Sequence, residues 1–280
     1  KARSTDYHFS SIGTIYIPGN GYEAFAGKVN SIGEWDWIML APNHQTTSFL
    51  SVDIDDSLGV FIAGFSQTGA GSSFMFDVYT SGGEMTPSTP TSTSASRTID
   101  QSQMILWVSH SGVINDQWYG GGETPTIGSI RDIVVDGSQL HAVGMLGPSE
   151  TMNGSGEGTS MQNSHSSHVG VMARFSVGEN TIDMKWSNML CNAANAESPC
   201  AGQYVVEKLA MDDSTSNFVL SGWFSGSVRF YDSTGTEILL SGSGLPSGFL
   251  LTYESDVGVN RATSVSTDNA DAIYAISYND

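Results

Sequence analysis

The sequence is poor in positive charge. It has 10 Lys and Arg residues against 29 Asp and Glu residues, a formal net charge of −19 over 280 residues. Proteins that bind nucleic acids through phosphates need clustered basic residues, so we expect no nucleic-acid partner and no docking on an anionic membrane. Charged residues are only 14% of the chain, whereas 39% are apolar. This composition is typical of a folded domain with a sizeable core rather than of a disordered polyelectrolyte.

Long apolar runs and targeting signals are also missing. No run approaches the 18 or so residues of a transmembrane helix, and no basic segment followed by an apolar one is visible. The chain begins at Lys1 without an initiator Met. We therefore expect a mature or trimmed piece with no membrane insertion; a fragment of a larger extracellular protein is the alternative.

Cysteine is scarce, and its two copies lie close together. Cys191 and Cys200 flank a short polar stretch, which predicts a small loop closed by a disulfide; two free thiols are the alternative. Two cysteines cannot build a structural zinc site. A disulfide would imply an oxidising compartment, so the sequence indicates an extracellular or cell-surface location.

The chain contains two alternating repeats, and each reads as a β-hairpin. The first is an apolar strand, an acidic turn and a second strand ending in Gly or Ser. Its copies are Ser48–Gly64, Ile130–Gly144, Val206–Gly222 and Ala262–Ser277, with a degenerate copy ending in Thr14–Gly19. The alternation of apolar with small or polar residues has a period of two, which is typical of strands.

The second repeat is an apolar strand, a glycine turn and a strand that usually carries Trp. Its copies are Ala24–Trp37, Met104–Gly112 followed by Trp118, Val169–Gly178 followed by Trp186, and Gly248–Gly258 without a following Trp. One hairpin of each kind makes four strands. The pattern predicts an all-β fold, a β-propeller of four-stranded antiparallel blades with long loop insertions.

We expect a single domain over residues 1–280 with four to five blades. The last strands, roughly 262–277, are predicted to complete a blade with N-terminal strands and so close a small ring; part of a larger propeller is the alternative. Closure would hide sheet edges that otherwise invite aggregation.

The repeats resemble the bacterial β-propeller repeat family of the SBBP type. The matching residues are Val135-Asp136, His141–Gly144, Phe249–Tyr253 and the pair Gly112 and Trp118. The resemblance implies a propeller fold. Asp136 and Asp212 match an aspartate of that repeat which shapes blades, so the resemblance implies no catalytic residue.

The acidic turns are the best metal candidates. Asp53, Asp55 and Asp56 place several hard oxygens in one tight turn, as calcium prefers, although the spacing is not that of an EF-hand. Asp212-Asp213 and Asp268–Asp271 occupy the equivalent turns. This recurrence favours the alternative that the aspartates stabilise turns by accepting hydrogen bonds from their own backbone. No other cofactor is expected.

Two polar segments interrupt the strand pattern. Residues 81–98 include a Ser/Thr/Pro tract, predicted to be an exposed loop with O-glycosylation at Thr86, Ser88, Thr89 and Thr91 or to be a bare insertion. Residues 146–168 are rich in Gly, Ser and Asn and contain one sequon, so Asn153 is a candidate for N-glycosylation.

Motifs for catalysis are absent, and we assign no catalytic residue. There is no nucleophile elbow and no HExxH motif, and the pair His165 and His168 would need a third ligand to hold a metal. Six Trp residues could stack on sugars, but their recurrence favours packing between blades. Trp35 and Trp37 alternate, which predicts that both lie on one face of their strand.

These observations predict a non-catalytic extracellular or cell-surface β-propeller. It would bind a protein or glycan, mediate adhesion, or assemble with copies of itself into a filament or surface layer. The alternative is a carbohydrate-active propeller enzyme, a glycoside hydrolase or lyase-like protein. Its mark would be two carboxylates and an aromatic side chain around a central channel.

Overall fold

In the computed structural model the described part of the chain consists of β-strands with turns and irregular segments between them. The described residues are 5–9, 11–17, 24–41, 46–67, 76–81, 85–87, 102–120, 128–152, 161–191, 202–212, 214–215, 217–232, 234–242, 245–254, 258–265, 272–274 and 276. None of them is helical, so this part of the chain offers no apolar helix that could span a membrane. The predicted all-β class is confirmed.

Twenty-two strands follow one another along the described residues. They are β1 (Thr5–Phe9), β2 (Gly13–Ile17), β3 (Phe25–Val29), β4 (Trp35–Leu40), β5 (Thr46–Asp55), β6 (Gly59–Gln67), β7 (Asp77–Thr80), β8 (Met85–Pro87), β9 (Ser102–Val108), β10 (Ile114–Gly120), β11 (Ser129–Asp136), β12 (Gln139–Leu146), β13 (Thr151–Met152), β14 (Met161–Gln162), β15 (Val169–Gly178), β16 (Thr181–Met189), β17 (Gln203–Asp212), β18 (Asn217–Ser225), β19 (Ser227–Tyr231), β20 (Glu237–Ser241), β21 (Ser247–Glu254) and β22 (Gly258–Val265).

Four antiparallel sheets of four strands form the body of the protein. Sheet I has the order β3-β4-β7-β8, sheet II β5-β6-β9-β10, sheet III β11-β12-β15-β16 and sheet IV β17-β18-β21-β22. Three further hairpins, β1-β2, β13-β14 and β19-β20, are two-stranded. In sheets II to IV a first-repeat hairpin pairs with a second-repeat hairpin, as the sequence predicts. Between these two hairpins the chain inserts another one: β7-β8, β13-β14 or β19-β20.

Sheet I differs from the other three sheets: among the described residues no first-repeat hairpin pairs with its second-repeat hairpin β3-β4. The degenerate N-terminal copy forms the separate hairpin β1-β2. The last copy, Ala262–Ser277, begins inside β22, and its described second half, 272–274 and 276, is not a strand. Among the described residues no strand pairing joins one four-stranded sheet to another. Ring closure and blade count therefore stay predictions.

A β-bulge recurs in the first strand of sheets II, III and IV. The register shifts after Phe49, Ile130 and Val206, each of which pairs with the glycine that ends the first repeat: Gly64, Gly144 and Gly222. A Cβ on any of these glycines would overlap a carbonyl oxygen of the bulged strand. The repeat glycine is therefore explained by close backbone approach rather than by a turn.

The second repeat also carries a bulge, and it overturns the prediction for Trp35 and Trp37. Trp37 pairs with Lys28 and Trp35 pairs with Val29, so the intervening Asp36 is the extra residue. An extra residue reverses the side-chain alternation. Trp37 consequently packs between sheets I and II, whereas Trp35 packs with the cluster on the other face of sheet I.

The core lies between successive sheets. Trp118 of sheet II meets Phe175 of sheet III edge-on, with ring centroids 4.9 Å apart. Trp186 of sheet III packs on Tyr253 of sheet IV at 6.0 Å. These two tryptophans pack between sheets, as their recurrence predicts. The first strands are also neighbours, since β11 packs on both β5 and β17.

Replacing a repeat glycine tests the bulge directly. We expect Gly144→Ala to lower the free energy of unfolding by about 1–3 kcal/mol, because its methyl group would displace the carbonyl of Ser129. Gly178→Ala is the control, since a Cβ there would approach only the side chain of Thr181. Urea unfolding of both variants measures the difference; equal stabilities would contradict this account.

Candidate functional site

The first strands of sheets II, III and IV carry a polar network that joins the three sheets. The residue after each first-strand bulge is Ser51 in β5, Asp132 in β11 and Lys208 in β17. The Asp132 carboxylate accepts hydrogen bonds from Ser51 Oγ at 2.5 Å and Lys208 Nζ at 3.3 Å through one oxygen. Its other oxygen accepts from the Leu209 backbone N–H at 3.1 Å. One buried carboxylate thus links sheets II, III and IV.

The bulged residues of sheets III and IV form a second group beside it. Arg131 Nη1 lies 3.6 Å from Glu207 Oε2, and Trp223 Nε1 donates to Glu207 Oε1 at 3.1 Å. His168 lies nearby, and its pKa is lowered by burial and by the positive charge of Arg131. Sheets III and IV therefore bring two carboxylates, on β11 and β17, together with an indole on β18, which is the residue set expected of a carbohydrate-active site.

The contacts of these carboxylates favour a structural role. Both oxygens of Asp132 and both oxygens of Glu207 already have partners within the protein. Both residues are buried, and each is paired with a cation, as buried charges require. A general acid or nucleophile needs an oxygen directed at a substrate, whereas these oxygens are directed at neighbouring strands.

The three calcium candidates do not converge. Asp53 Oδ2 accepts the Val135 N–H of the next sheet at 2.7 Å. Asp55 Oδ1 accepts the backbone N–H groups of Ser57 at 2.7 Å and Leu58 at 2.8 Å within its own turn. Asp56 is exposed, and its backbone carbonyl contacts the ring of His110. Among the described residues no three acidic, His or Cys side chains are grouped for a metal.

Hydrogen bonds within the acidic turns support turn stabilisation instead. The hydroxyl and N–H donors of its turn lower the pKa of Asp55. In the equivalent turn Asp212 Oδ1 accepts from Ser214 N at 2.9 Å. Asp232, which the sequence did not single out, accepts from Thr234 N at 2.9 Å and Thr236 N at 2.8 Å. Asp213 and Asp268–Asp271 lie outside the described residues, and calcium binding stays a prediction.

Of the candidate modification sites, the structure describes only two residues. Thr86 lies in β8, so the Ser/Thr/Pro tract begins inside a sheet rather than in a loop. Cys191 is buried, and no described cysteine is a free thiol. Cys200, Asn153, Ser88, Thr89 and Thr91 lie outside the described residues. The Cys191–Cys200 pairing and the glycosylation remain predictions.

A buried carboxyl that the sequence did not reveal, that of Glu150, lies in the turn between β12 and β13. Glu150 Oε2 accepts the Gly147 N–H at 2.7 Å, and Glu150 Oε1 accepts from Gln103 Nε2 of sheet II at 3.2 Å. Burial raises the pKa of Glu150 to about 8, against the effect of these hydrogen bonds. A lone Glu in a polar stretch gives no sequence signal of burial, because its side-chain partner Gln103 comes from a sequence-distant strand.

His141 is the opposite case. It lies in β12 with its ring 4.6 Å from that of Phe218, between sheets III and IV. Burial lowers the pKa of His141 to about 4, and the neighbouring Arg174 adds to the effect. His141 is therefore a neutral core residue rather than a metal ligand, as its position inside an apolar strand indicates.

No family model matches the sequence, and no curated protein matches it. The resemblance to bacterial β-propeller repeats therefore rests on the quoted motifs alone.

The buried network predicts unequal costs for two aspartates. Asp132→Asn should lower the free energy of unfolding by about 1–3 kcal/mol, because the amide replaces one acceptor with a donor facing Lys208 or Leu209. Asp183→Asn breaks an exposed ion pair with Lys185 and should change the free energy of unfolding by about 0.5 kcal/mol or less. Denaturant unfolding of both variants at neutral pH tests this, and an equal loss for both would contradict it.

Glu150 predicts a loss of stability as the pH rises. Its pKa is raised from 4.5 in the unfolded chain to about 8 in the folded protein, so the folded state holds the proton more tightly. Its contribution is full below pH 4.5 and is lost as the pH rises towards 8. The lowered pKa of His141 has the opposite effect: it reduces stability as the pH falls, and only below the pKa of 6.5 that the residue has in the unfolded chain.

The melting temperature measured between pH 6.5 and 8 isolates the Glu150 contribution from that of His141. We expect the wild type to melt at a lower temperature at pH 8 than at pH 6.5, and Glu150→Gln to show a weaker dependence. His141→Gln is the control. It should show the wild-type dependence of melting temperature on pH between pH 6.5 and 8, and differ from the wild type only at lower pH. A Glu150→Gln profile parallel to that of the wild type would contradict the assignment.

Proposed function

We propose that the protein is a non-catalytic β-propeller-type module of an extracellular or cell-surface protein. It binds a protein or glycan partner or assembles with copies of itself in an adhesive or structural role. The observation that carries the proposal is the closed set of contacts at Asp132 and Glu207, whose four oxygens bind neighbouring strands. These two carboxylates therefore hold neighbouring sheets together rather than face a substrate.

The arrangement of sheets II to IV supports a propeller. Successive sheets pack face to face, and their first strands lie side by side, as innermost strands of neighbouring blades do. The repeated bulges and glycines supply the same strand geometry in each sheet. The inserted hairpins lie in sequence between the second and third strands of sheets II to IV, and none of them pairs with the first strand of a sheet.

An acidic chain with few lysines suits an external setting. Repulsion between copies of net charge −19 supports solubility. We propose that Cys191 and Cys200 form a disulfide there, since Cys191 is buried and its N–H donates to the Tyr204 hydroxyl at 3.1 Å. The hydroxyl-rich segments around Ser88 and Asn153 would carry glycans in the same setting.

A carbohydrate-active enzyme is the second candidate. It is favoured by the presence of Asp132, Glu207 and Trp223 on adjacent strands of sheets III and IV. Under this alternative, substrate binding would have to displace Lys208 or Arg131 from its carboxylate. The cost of separating buried ion pairs argues against it.

Hydrolysis and lyase assays on a panel of polysaccharides distinguish a non-catalytic binding module from a carbohydrate-active enzyme. Release of reducing or unsaturated sugar ends is measured for the wild type and for the Asp132→Asn/Glu207→Gln double variant, with sugar pull-down in parallel. We expect no release from either protein, and any glycan that the wild type retains should be recovered intact. Release by the wild type that the folded double variant abolishes would overturn the proposal; Asp183→Asn is the control.

A further inference from the structure

The connection between β12 and β13 is tied by hydrogen bonds to the residue that follows β14. Ser149 N donates to the Asn163 carbonyl at 2.9 Å, and Asn163 N donates to the Glu150 carbonyl at 2.8 Å. The Asn163 side chain is fully buried, and its Nδ2 donates to the carbonyls of Leu146 at 3.2 Å and Gly147 at 2.9 Å. The inserted hairpin β13-β14 is therefore fixed to its own sheet III. We call residues 147–150 and Asn163 the hairpin base.

Glu150 extends the hairpin base across to sheet II. Its Oε1 accepts from Gln103 Nε2 of β9 at 3.2 Å, while its Oε2 accepts the Gly147 N–H at 2.7 Å. The carboxyl also lies against the backbone of Gly128, just before β11, where a Cβ would overlap both of its oxygens. A side chain of the hairpin base thus fills one end of the junction between sheets II and III.

No cation lies beside this carboxyl among the described residues. Glu150 is 1% exposed, and Arg131, the nearest cation along β11, pairs with Glu207 instead. The charged or titratable side chains nearest to Glu150 along the segments around it are neither hydrogen-bonded nor ion-paired to it: Arg131, Asp132, His165 and His168. An ionised Glu150 would be a buried charge without a counter-ion, so the neutral acid is the stable form within the closed base.

The amide of Gln103 suits the neutral acid. Its Nε2 donates to Glu150 Oε1, whereas its own Oε1 is buried without a hydrogen-bond partner. If the amide turns over, this oxygen takes the place of the nitrogen and accepts the proton of the acid. The contact between Gln103 and Glu150 therefore accommodates a proton but offers no positive charge to a carboxylate.

Sheets II and III are also joined by contacts that do not involve Glu150. Asp53 Oδ2 accepts the Val135 N–H at 2.7 Å, and Asp116 Oδ2 accepts the Ile182 N–H at 2.7 Å. Each of these bonds runs from a strand of sheet II to a strand of sheet III. The hairpin base can therefore separate from β9 while the two sheets stay packed together.

We propose that Glu150 is a proton-dependent latch, which in its neutral form holds the hairpin base against sheet II and on ionisation releases the base into water. The ionised carboxylate gains hydration by leaving the junction, whereas staying would keep an unpaired charge buried. The change moves one proton from Glu150 to the solvent and breaks the hydrogen bonds of its side chain to Gln103 and Gly147. Because burial raises the pKa of Glu150 to about 8, the release falls in mildly alkaline solution.

Amide hydrogen exchange of the full chain, followed by NMR at pH 6.5 and 8.5 and corrected for intrinsic rates, measures the release. The Gly147 amide is the reporter, because its acceptor is the Glu150 carboxyl. Between the two pH values we expect it to lose at least tenfold more protection than the amides of Ala142 and Val143 in the middle of β12. The carbon-13 signal of the Glu150 carboxyl should titrate with the same midpoint as this loss.

Three variants complete the experiment. Glu150→Gln keeps the shape of the side chain but cannot ionise, so its Gly147 amide should be equally protected at both pH values. Gly128→Ala should resemble the released form, because the added methyl group occupies the place of the carboxyl; Gly147 should then be poorly protected already at pH 6.5. Gly178→Ala is the matched control, since its methyl group approaches only the side chain of Thr181, and it should behave like the wild type.

Three results would overturn the latch: protection of Gly147 that does not change with pH in the wild type, a loss shared equally by Gly147 and the middle of β12, or a wild-type loss that persists in Glu150→Gln. An equal loss would mean that the buried charge weakens the whole fold instead of releasing one segment. Circular dichroism and melting temperature confirm that the variants are folded. If Gly128→Ala does not fold, the comparison of the wild type with Glu150→Gln decides.

Discussion

The bulge opposite a glycine in each first strand is the constraint on which the rest of the structure depends. By adding one residue opposite Gly64, Gly144 or Gly222, it changes the side-chain alternation along the first strand of each sheet. Ser51, Asp132 and Lys208 thereby meet one another between sheets. A larger residue in place of the glycine would separate the two strands and remove this geometry.

The network also shows how an acidic protein uses its few cations. Only 10 Lys and Arg residues are available, and two of them, Arg131 and Lys208, pair with the buried carboxylates of Glu207 and Asp132. Asp55 and Asp232 accept hydrogen bonds from backbone N–H groups of their own turns instead. Asp132 and Glu207 are thus paired with cations, whereas Asp55, Asp212 and Asp232 are satisfied by donors of their own turns.

Much of the local architecture could be predicted from the sequence. The two alternating hairpins were identified by period-two patterning and turn residues, both of which are local signals. The faces of Trp35 and Trp37 could not be predicted, because the bulge at Asp36 is set by pairing with β3. The burial of Glu150 and the bond from Asp53 to Val135 depend on contacts between sequence-distant strands, which composition does not encode.

The sheets are joined to one another by side chains and not, among the described residues, by strand pairing. This has a mechanical consequence. Tension applied through the two ends of the chain would load contacts such as those of Asp132, rather than shearing a continuous row of backbone hydrogen bonds. Sheets would detach one at a time and keep their internal pairing, so the protein would extend in steps and recover when the tension is released.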